Sequence, residues 1–298
     1  MRIGVDLGGT KTEIIALSDK GEEMYRKRNS TPRGDYQNIC KNIAFLVNEA
    51  ETSIGEQGSV GIGIPGAISP KSGLAKNANT TELNGHPLQA DLENLLNRPV
   101  ILGNDANCFA LSEAVDGAAK GADVVFGIIL GTGVGGGIVV NGKVLVGANA
   151  IAGEWGHTPL PWANQNERPG PDCYCGKKGC IETFLSGPGL SKSHNAVGAI
   201  GPTAMEIASL AASGDEAARR TLASFERRLA KSLTSIINII DPDIIVCGGG
   251  LSNLSGIYEN VPKLWQEYAF SDEIETSFVK AKHGDSSGVR GAAWLWPT

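Results

Sequence analysis

The chain has 298 residues, 41% of them hydrophobic and 19% charged, and its formal net charge at pH 7 is −6. This composition is typical of a globular protein and excludes the disordered and fibrous classes. Because the chain is acidic and carries no block of Lys or Arg, we expect no nucleic-acid partner. Because of its length, we expect two lobes rather than one.

The N-terminal segment predicts a β-hairpin around a glycine turn. Apolar, β-forming residues at 3–8 and 12–18 flank Gly8-Gly9-Thr10-Lys11, a turn whose backbone N–H groups are available to a ligand. We interpret this turn as a phosphate site at which Thr10 and Lys11 contact phosphate and Asp6 holds hydrated Mg²⁺. A plain hairpin connection is the alternative.

The next elements predict a helical crossover into buried strands. Apolar residues between Asp35 and Glu56 recur with helical spacing, and short apolar runs at 60–64 and 100–102 are typical of buried strands. The second strand ends at Asn104-Asp105, before a helix predicted over 106–118, where an open α/β sheet binds its ligands. Asp105 is therefore a candidate catalytic base, with helix capping as the alternative.

A small-residue stretch at 117–123 indicates a boundary, because the second half then begins as the first does. A strand over 124–130, a turn over Gly131–Gly137 and a strand over 138–140 repeat the strand, glycine turn, strand pattern. Five glycines in these seven positions indicate close approach of a phosphate, with a plain glycine-rich hairpin as the alternative. The remaining predicted elements are helices over 203–212, 215–240 and 287–296 and a strand over 244–246 that ends at Gly248-Gly249-Gly250.

Three cysteines and a histidine predict a structural zinc site. Cys173, Cys175 and Cys180 lie in a polar stretch, and His157 precedes the first of them by sixteen residues. Three thiolates and an imidazole form a closed tetrahedral Zn²⁺ site, which leaves no position for a catalytic water. We expect such an ion to fix the surrounding loop. Buried cysteines without a metal are the alternative.

Segments that would direct the chain to a membrane are not evident. No apolar run reaches the roughly 18 residues that a membrane helix needs. The N-terminus shows no signal-peptide pattern. We therefore expect a cytoplasmic protein without a membrane partner.

Five motifs together resemble the ROK family of bacterial sugar kinases and repressors. They are Asp6–Thr12, Gly103–Asn107, Leu130–Gly137, Glu154–His157 and Cys173–Glu182. The resemblance extends from residue 3 to the C-terminus. It implies the actin-like, ribonuclease-H-like ATPase fold, an α/β fold in which two lobes close over ATP-Mg²⁺ and a sugar. The implied lobes are residues 1–118 and 119–286, with a C-terminal helix over 287–298 that packs back on the first lobe, and the implied assembly is a homodimer.

The resemblance also assigns roles to individual residues. The implied cofactors are ATP, Mg²⁺ and structural Zn²⁺, and Asp105 is implied to take the proton from the phosphorylated hydroxyl. The nucleotide-binding positions are Asp6, Gly8, Gly9, Thr10, Lys11, Gly131, Thr132, Gly133, Gly135, Gly248, Gly249 and Gly250. The sugar-binding positions are Gly66, Asn79, Asn104, Asp105, Glu154, His157 and Glu182, and the zinc ligands are His157, Cys173, Cys175 and Cys180.

The substrate implied by the resemblance is a hexose. Segments 76–79, 83–85, 114–119 and 283–294 are most similar to bacterial fructokinases of the manno(fructo)kinase type. We therefore expect phosphate transfer from ATP to the 6-hydroxyl of D-fructose, with mannose as a further substrate. N-acetylglucosamine kinases and glucokinases of the same family are the alternative, since N-acetylglucosamine kinases share 102–114 and 127–137 nearly as well.

Two alternatives come from other functional classes. A sugar-responsive ROK repressor carries a winged helix-turn-helix before the first glycine turn, and we expect none because the Asp6 motif begins at the N-terminus. A non-catalytic sugar-binding module would have no need for three glycine turns that suit a nucleotide. Both alternatives are disfavoured.

Overall fold

The computed structural model describes residues 1–195 and 201–297, and in these residues strands and helices alternate as in an α/β protein. The strands are β1 (Arg2–Leu7), β2 (Lys11–Leu17), β3 (Glu23–Ser30), β4 (Ser59–Ile64), β5 (Ala67–Ile68), β6 (Ala75–Lys76), β7 (Val100–Asn104), β8 (Val124–Leu130), β9 (Val134–Val140), β10 (Lys143–Val144), β11 (Ile244–Gly248) and β12 (Ser277–Lys280). The helices are α1 (Tyr36–Ile54), α2 (Leu88–Leu96), α3 (Asp105–Val115), α4 (Glu182–Leu185), α5 (Gly187–His194), α6 (Ala204–Ala212), α7 (Glu216–Ile240), α8 (Gly256–Trp265) and α9 (Ser287–Ala293). Thr298, the last residue of the predicted C-terminal segment, lies outside the described residues.

The strands form two five-stranded sheets of related topology. The first has the order β3-β2-β1-β4-β7, and the second has the order β10-β9-β8-β11-β12. In the first sheet, β2 and β3 extend β1 antiparallel, whereas β4 and β7 follow it in parallel. In the second sheet, β8, β11 and β12 are parallel. The predicted α/β class and the predicted repeat of a strand, a glycine turn and a strand are therefore confirmed.

The chain divides into two compact units. The first unit comprises Met1–Gly121, Gly137–Ala152 and Asp285–Thr298, and the second comprises Ala122–Gly136 and Gly153–Gly284. The sequence placed the boundary at residue 118 and assigned all of 119–286 to the second lobe. The structure differs because the end of β9 and strand β10 belong by their packing to the first unit.

A buried apolar cluster covers one face of the first sheet. Helix α1 begins after Asp35, whose side chain accepts a hydrogen bond from the Asn38 backbone N–H, and it ends at Gly55 in the left-handed conformation. Its apolar stripe packs on residues of β1, β2 and β4 such as Val5, Ile14 and Ile62, all of which are fully buried. This packing fixes the strand ends that carry the candidate site.

Helix α9 lies against β1, β4 and α3 within the first unit. The approach is very close, because a Cβ atom on Gly61 would lie 1.9 Å from the Ala292 carbonyl oxygen and one on Gly291 would lie 1.6 Å from the Cys108 carbonyl oxygen. Only glycine allows backbones to approach so closely. The helix is shorter than the predicted 287–296, since it ends at Ala293.

The second glycine turn is also shorter than predicted. Strand β9 begins at Val134 rather than at 138, so that Gly135, Gly136 and Gly137 lie in a strand and the turn comprises residues 131–133. The sequence did not predict the polar edge strand β3, nor helices α2, α5 and α8. Within residues 1–195 and 201–297, no helix combines the length and the apolar character that crossing a membrane requires.

Candidate functional site

The first glycine turn joins β1 to β2 in a tight hairpin. The Gly8 backbone N–H donates to the Lys11 carbonyl oxygen at 3.0 Å. Thr31, the residue after β3, supports the turn, since its hydroxyl donates to the Gly8 carbonyl at 2.7 Å and its N–H donates to the Thr10 carbonyl at 3.0 Å. Gly9, Thr10 and Lys11 are exposed, so the turn presents its backbone to solvent.

Asp6 is the last residue but one of β1 and lies beside other acidic groups. It pairs with Glu13 across the antiparallel β1–β2 ladder. Burial raises the pKa of Asp6 to about 7, with further upward contributions from Asp105 and Glu13 and a downward one from Arg28. A bound divalent cation would offset this accumulation of negative charge, so the predicted role of Asp6 in holding Mg²⁺ fits its surroundings.

Asn104 and Asp105 lie at the junction of β7 and α3. The Asn104 side-chain oxygen accepts hydrogen bonds from the Ala106 and Asn107 N–H groups at 3.0 and 3.3 Å, and its amide donates to the Gly66 carbonyl at 3.0 Å. Asn104 is therefore the helix cap. Asp105 is the exposed first residue of the helix and accepts from the Ala106 N–H at 2.8 Å. Helix capping, the alternative role for Asp105, is therefore provided mainly by Asn104.

The predicted sugar-binding loops of the first unit follow β4 and β6. Gly66 has a φ of +94°, and the carbonyl of the same residue is the acceptor for Asn104. The segment around Asn79 is pinned by Asn84, whose side chain bonds both the N–H and the carbonyl of Ala78 at 2.9 Å. Asn79 itself is exposed. Gly66 and Asn104 are therefore in direct contact, with Asn79 on a fixed loop.

The second and third glycine turns meet at one edge of the second sheet. Strands β8 and β11 run in parallel with Gly248 paired to Ile129, so the turns that follow them are neighbours. Gly249 has a φ of +81°, a backbone conformation that favours glycine. The structure therefore brings together the glycines that the sequence assigned to two separate nucleotide motifs.

The four predicted metal ligands form one cluster. One ligand atom from each of His157, Cys173, Cys175 and Cys180 lies within 4.8 Å of the others. The Sγ atoms of Cys175 and Cys180 are 3.6 Å apart, as are Cys173 Sγ and His157 Nδ1. Ligands at tetrahedral Zn²⁺ distances are separated by about 3.3–3.8 Å, so the donor set and its spacing fit zinc.

The thiols of the cluster differ in acidity. The backbone N–H of Lys177 lowers the pKa of Cys175, whereas burial raises the pKa of Cys173 and raises that of Cys180 to about 12. A metal cation would be needed to hold the two buried groups as thiolates at neutral pH. Cys175 is exposed, and this exposure disfavours the alternative of three unliganded core cysteines.

His157 uses its two ring nitrogens differently. Nδ1 faces the cysteine cluster, while Nε2 lies 2.9 Å from the Tyr174 hydroxyl. Tyr174 is 83% exposed and its ring meets the imidazole edge-on with centroids 5.1 Å apart. The sequence reasoning gave Tyr174 no role, although its place between Cys173 and Cys175 is a signal that could have drawn attention to it.

The two predicted sugar-binding glutamates of the second unit have different surroundings. Glu154 is exposed, just before the 3-10 turn Trp155–His157. Glu182 is half-buried at the start of α4, and its Oε2 accepts a hydrogen bond from the Val134 N–H at 2.9 Å. Glu182 is therefore joined to the second glycine turn, which the sequence did not indicate.

Ser186 and Gly187 were also missed. The Gly187 N–H donates to the Gly131 carbonyl at 2.8 Å, and the Ser186 hydroxyl caps α5 by accepting from the Gly189 N–H at 3.1 Å. The pair Ser186-Gly187 before Pro188 is a helix-start signal that the sequence reasoning did not use. The predicted site residues thus form two groups, one in each unit.

Comparison with known proteins relates the whole chain to one family. The model of the ROK family matches residues 2–298. A curated relative, the N-acetyl-D-glucosamine kinase of Photobacterium profundum, is 42% identical over 299 residues, which cover 99% of each chain. An N-acetyl-D-glucosamine kinase from Vibrio cholerae is equally similar at 42% identity, again over 99% of each chain.

Solved structures of sugar kinases share the fold. The ROK hexokinase from Thermus thermophilus superposes with a TM-score of 0.87 at 30% identity, covering 99% of this chain and 97% of the other. A ROK family glucokinase from Streptomyces griseus, solved in complex with glucose and AMPPNP, gives a TM-score of 0.76 at 29% identity, covering 99% and 98%. These neighbours confirm the predicted actin-like, two-lobed α/β fold.

Proposed function

The chain belongs to the ROK family, and from that premise we propose that it is an ATP-dependent sugar kinase whose substrate is N-acetyl-D-glucosamine. The observation that carries the proposal is the 42% identity, over 99% of both chains, with a kinase of that name. Fructose, the substrate expected from local sequence segments, is less well supported, because the relatives from Photobacterium profundum and Vibrio cholerae are N-acetyl-D-glucosamine kinases. The general activity is the same in either case.

In the proposed reaction Asp105 is the general base. Its carboxylate stands at the end of β7 on the first turn of α3 and is exposed to an incoming sugar. It accepts the hydroxyl proton as the sugar oxygen attacks the γ-phosphorus of ATP. Asn104 supports this role by capping α3 and holding the Gly66 carbonyl, which orients the base and the predicted sugar loop together.

The proposed nucleotide contacts of each unit are backbone groups of its glycine turns, to which Asp6 is added in the first unit. Within the first unit, the first turn offers exposed N–H groups around Gly9. Within the second unit, the second and third turns offer theirs at adjacent strand ends. Mg²⁺, when bound near Asp6, supplies positive charge to the transferring phosphoryl group. Thr31 holds the first turn in place by its two hydrogen bonds.

The cluster of His157, Cys173, Cys175 and Cys180 is proposed as a structural Zn²⁺ site. All four tetrahedral positions are provided by the chain, so the ion has no open position for chemistry. Its role is to fix the loop next to Glu154 and Glu182. The homodimer and the cytoplasmic location remain predictions.

The test is a coupled ADP-release assay with ATP-Mg²⁺ and a panel of N-acetylglucosamine, N-acetylmannosamine, glucose, mannose and fructose. We expect the highest kcat/KM with N-acetylglucosamine. A higher value with fructose would restore the substrate expected from sequence and leave the kinase assignment intact. No ADP release with any sugar would contradict the kinase assignment and favour a sugar-binding protein.

A further inference from the structure

The second glycine turn is held by side chains from the predicted sugar motifs. Glu182 Oε2 accepts from the Val134 N–H at 2.9 Å, and Trp155 Nε1 donates to the Gly135 carbonyl at 2.9 Å. Val134 and Gly135 directly follow the turn at 131–133. Glu182 and Trp155, which are distant from the turn in sequence, thus form hydrogen bonds with two consecutive backbone residues at the start of β9.

The contacts are tight enough to explain two of the glycines. A Cβ on Gly133 would lie 2.7 Å from Glu182 Oε2, and a Cβ on Gly136 would lie 2.6 Å from the Trp155 ring. At Gly136 a Cβ would also meet the Gly153 carbonyl oxygen at 2.8 Å and has no room, whereas at Gly133 the Glu182 carboxylate would have to move away. The sequence interpreted these glycines as space for a phosphate, but the structure shows that Glu182 and Trp155 themselves occupy the space beside them.

Trp155 is held rigidly in this position. Its side chain is 3% exposed, and its ring packs edge-on against Phe126 of β8 with centroids 5.6 Å apart. Backbone bonds also join its segment to that of Glu182, because the Ile181 N–H donates to the Thr158 carbonyl at 2.9 Å and the Leu160 N–H donates to the Gly179 carbonyl at 2.9 Å. The two side chains therefore belong to one braced support.

We propose that Glu182 and Trp155 are positioning residues for the second glycine turn, through which the sugar motifs hold the backbone that receives the nucleotide's phosphates. The resemblance assigned Glu182 a sugar contact only and gave Trp155 no function. Because Glu182 serves both ligands, sugar binding and nucleotide binding are energetically coupled through its carboxylate. This inference rests on the proposed kinase function.

The experiment measures binding of Mg-ADP to the full chain by calorimetry in the absence of sugar. In Glu182→Ala the Val134 N–H loses its acceptor, and we expect the Kd to rise about tenfold, as the loss of one charge-assisted hydrogen bond does. Glu182→Gln keeps an acceptor oxygen of the same length and should bind Mg-ADP within about threefold of the wild type. Rescue by glutamine distinguishes a hydrogen-bonded support from a general loss of packing.

The matched control is Glu154→Ala, which removes an exposed glutamate of the same predicted sugar motif. We expect weaker sugar binding and a Kd for Mg-ADP within about twofold of the wild type. If Glu182→Ala behaves in the same way, Glu182 is a sugar contact alone and the inference is wrong. If the wild type binds no Mg-ADP, the proposed function itself fails, so the two failures are distinguishable.

A second variant keeps the test decisive if Glu182→Ala does not fold. Trp155→Phe removes the indole N–H but keeps a buried aromatic ring against Phe126. We expect the Kd for Mg-ADP to rise about threefold, as for a neutral hydrogen bond, while sugar affinity measured without nucleotide stays within about twofold. An unchanged Kd for Mg-ADP in this variant would overturn the inference for Trp155.

Discussion

Asp6 in the first unit is partly buried and Glu167 in the second unit is buried, and the surroundings of these two carboxylates treat their charge in opposite ways. In the first unit, burial raises the pKa of Asp6 to about 7, and two further carboxylates, Asp105 and Glu13, add to the rise. In the second unit, burial alone would raise the pKa of Glu167, but hydrogen bonds from Arg228 and from a backbone N–H hold it below the usual value. One acid is crowded by like charges, whereas the other is compensated.

The negative charge of Glu167 is compensated by two cationic side chains nearby, one at each carboxylate oxygen. Arg228 Nε donates to its Oε1 at 2.8 Å, and Lys231 Nζ lies 3.5 Å from its Oε2 while donating to the Trp162 carbonyl at 2.9 Å. Lys231 is buried with it. Charges that serve the fold are paired in this way, whereas crowded acids are typical of functional sites. We therefore expect charge removal at Glu167 to lower stability and charge removal at Asp105 to lower activity.

Removal of the metal cluster should have the largest effect on the second unit. Cys180→Ser takes away one of four ligands, and we expect the purified protein to lose its zinc and more than about 5 kcal/mol of unfolding free energy. Metal content is measured by mass spectrometry on protein purified under reducing conditions, together with the melting temperature. Cys247→Ser is the control, because Cys247 is equally buried in the same unit but outside the cluster.

The control should lose some stability yet retain about one zinc per chain. Wild-type protein that contains no zinc, and whose melting temperature a chelator leaves unchanged, would show that the four side chains form an ordinary thiol cluster. Glu167 would then be the remaining group of the second unit for which we expect a large effect on stability.

Loss of the Asp105 carboxylate should have the largest effect on activity. Asp105→Asn keeps the size of the side chain, and we expect kcat to fall by about 10²- to 10⁴-fold with little change in melting temperature or in Mg-ADP affinity. Steady-state kinetics with the preferred sugar provide the measurement. Asp35→Asn is a matched control at the start of another helix, where asparagine caps as well as aspartate does.

Full turnover by Asp105→Asn would remove the general base from the proposed mechanism. A fall in stability with unchanged kcat would instead make Asp105 a structural acid. Either result would contradict the assignment of Asp105 to activity and of Glu167 to stability.

The sequence predicted the elements that depend on local pattern. Helix α1, strands β1, β4 and β8 and helix α7 lie within about two residues of their expected bounds, because apolar periodicity and caps such as Asp35 and Asp215 are local signals. Strand β3 was missed because its residues are largely polar and its partner is β2 at the sheet edge. A polar edge strand has no apolar face to reveal it.

The sequence predicted those parts of the candidate site that lie within a single motif. The cysteine cluster was confirmed as a group because its spacing is itself the signal. The supports of the turns were not predictable, since Thr31, Trp155 and Glu182 act on backbone groups far away in sequence. Nothing in a linear motif states which distant N–H a carboxylate will bond, and so the long-range half of the site required the fold.

Neutralising Glu167 should have an intermediate effect, confined to stability. Glu167→Gln leaves Arg228 and Lys231 partly buried without their anion, and we expect a loss of about 3 kcal/mol in the free energy of unfolding, measured with urea. Activity per folded molecule should change little. Glu216→Gln breaks an exposed ion pair with Arg219 and should cost no more than about 0.5 kcal/mol. Equal losses in both variants would show that Glu167 is not specially compensated.

The smallest effect is expected at Asp6, and its sign is opposite. The folded protein holds a proton on Asp6 up to about pH 7, whereas the unfolded chain releases that proton near 3.8, the ordinary pKa of an aspartate. Between these values the folded state binds more protons, so this group's contribution to stability falls as the pH rises and is lost above about pH 7. Asp6→Asn has no such proton. About three pKa units correspond to at most about 4 kcal/mol, and because Asp6 is only partly buried, screening by solvent reduces this to about 1 kcal/mol. In metal-free and nucleotide-free protein, we therefore expect the variant to match the wild type near pH 4 and to melt about 2–4 °C higher at pH 8. A variant that is less stable than the wild type at pH 8 would show that Asp6 is compensated as Glu167 is, and the two units would then treat buried charge alike.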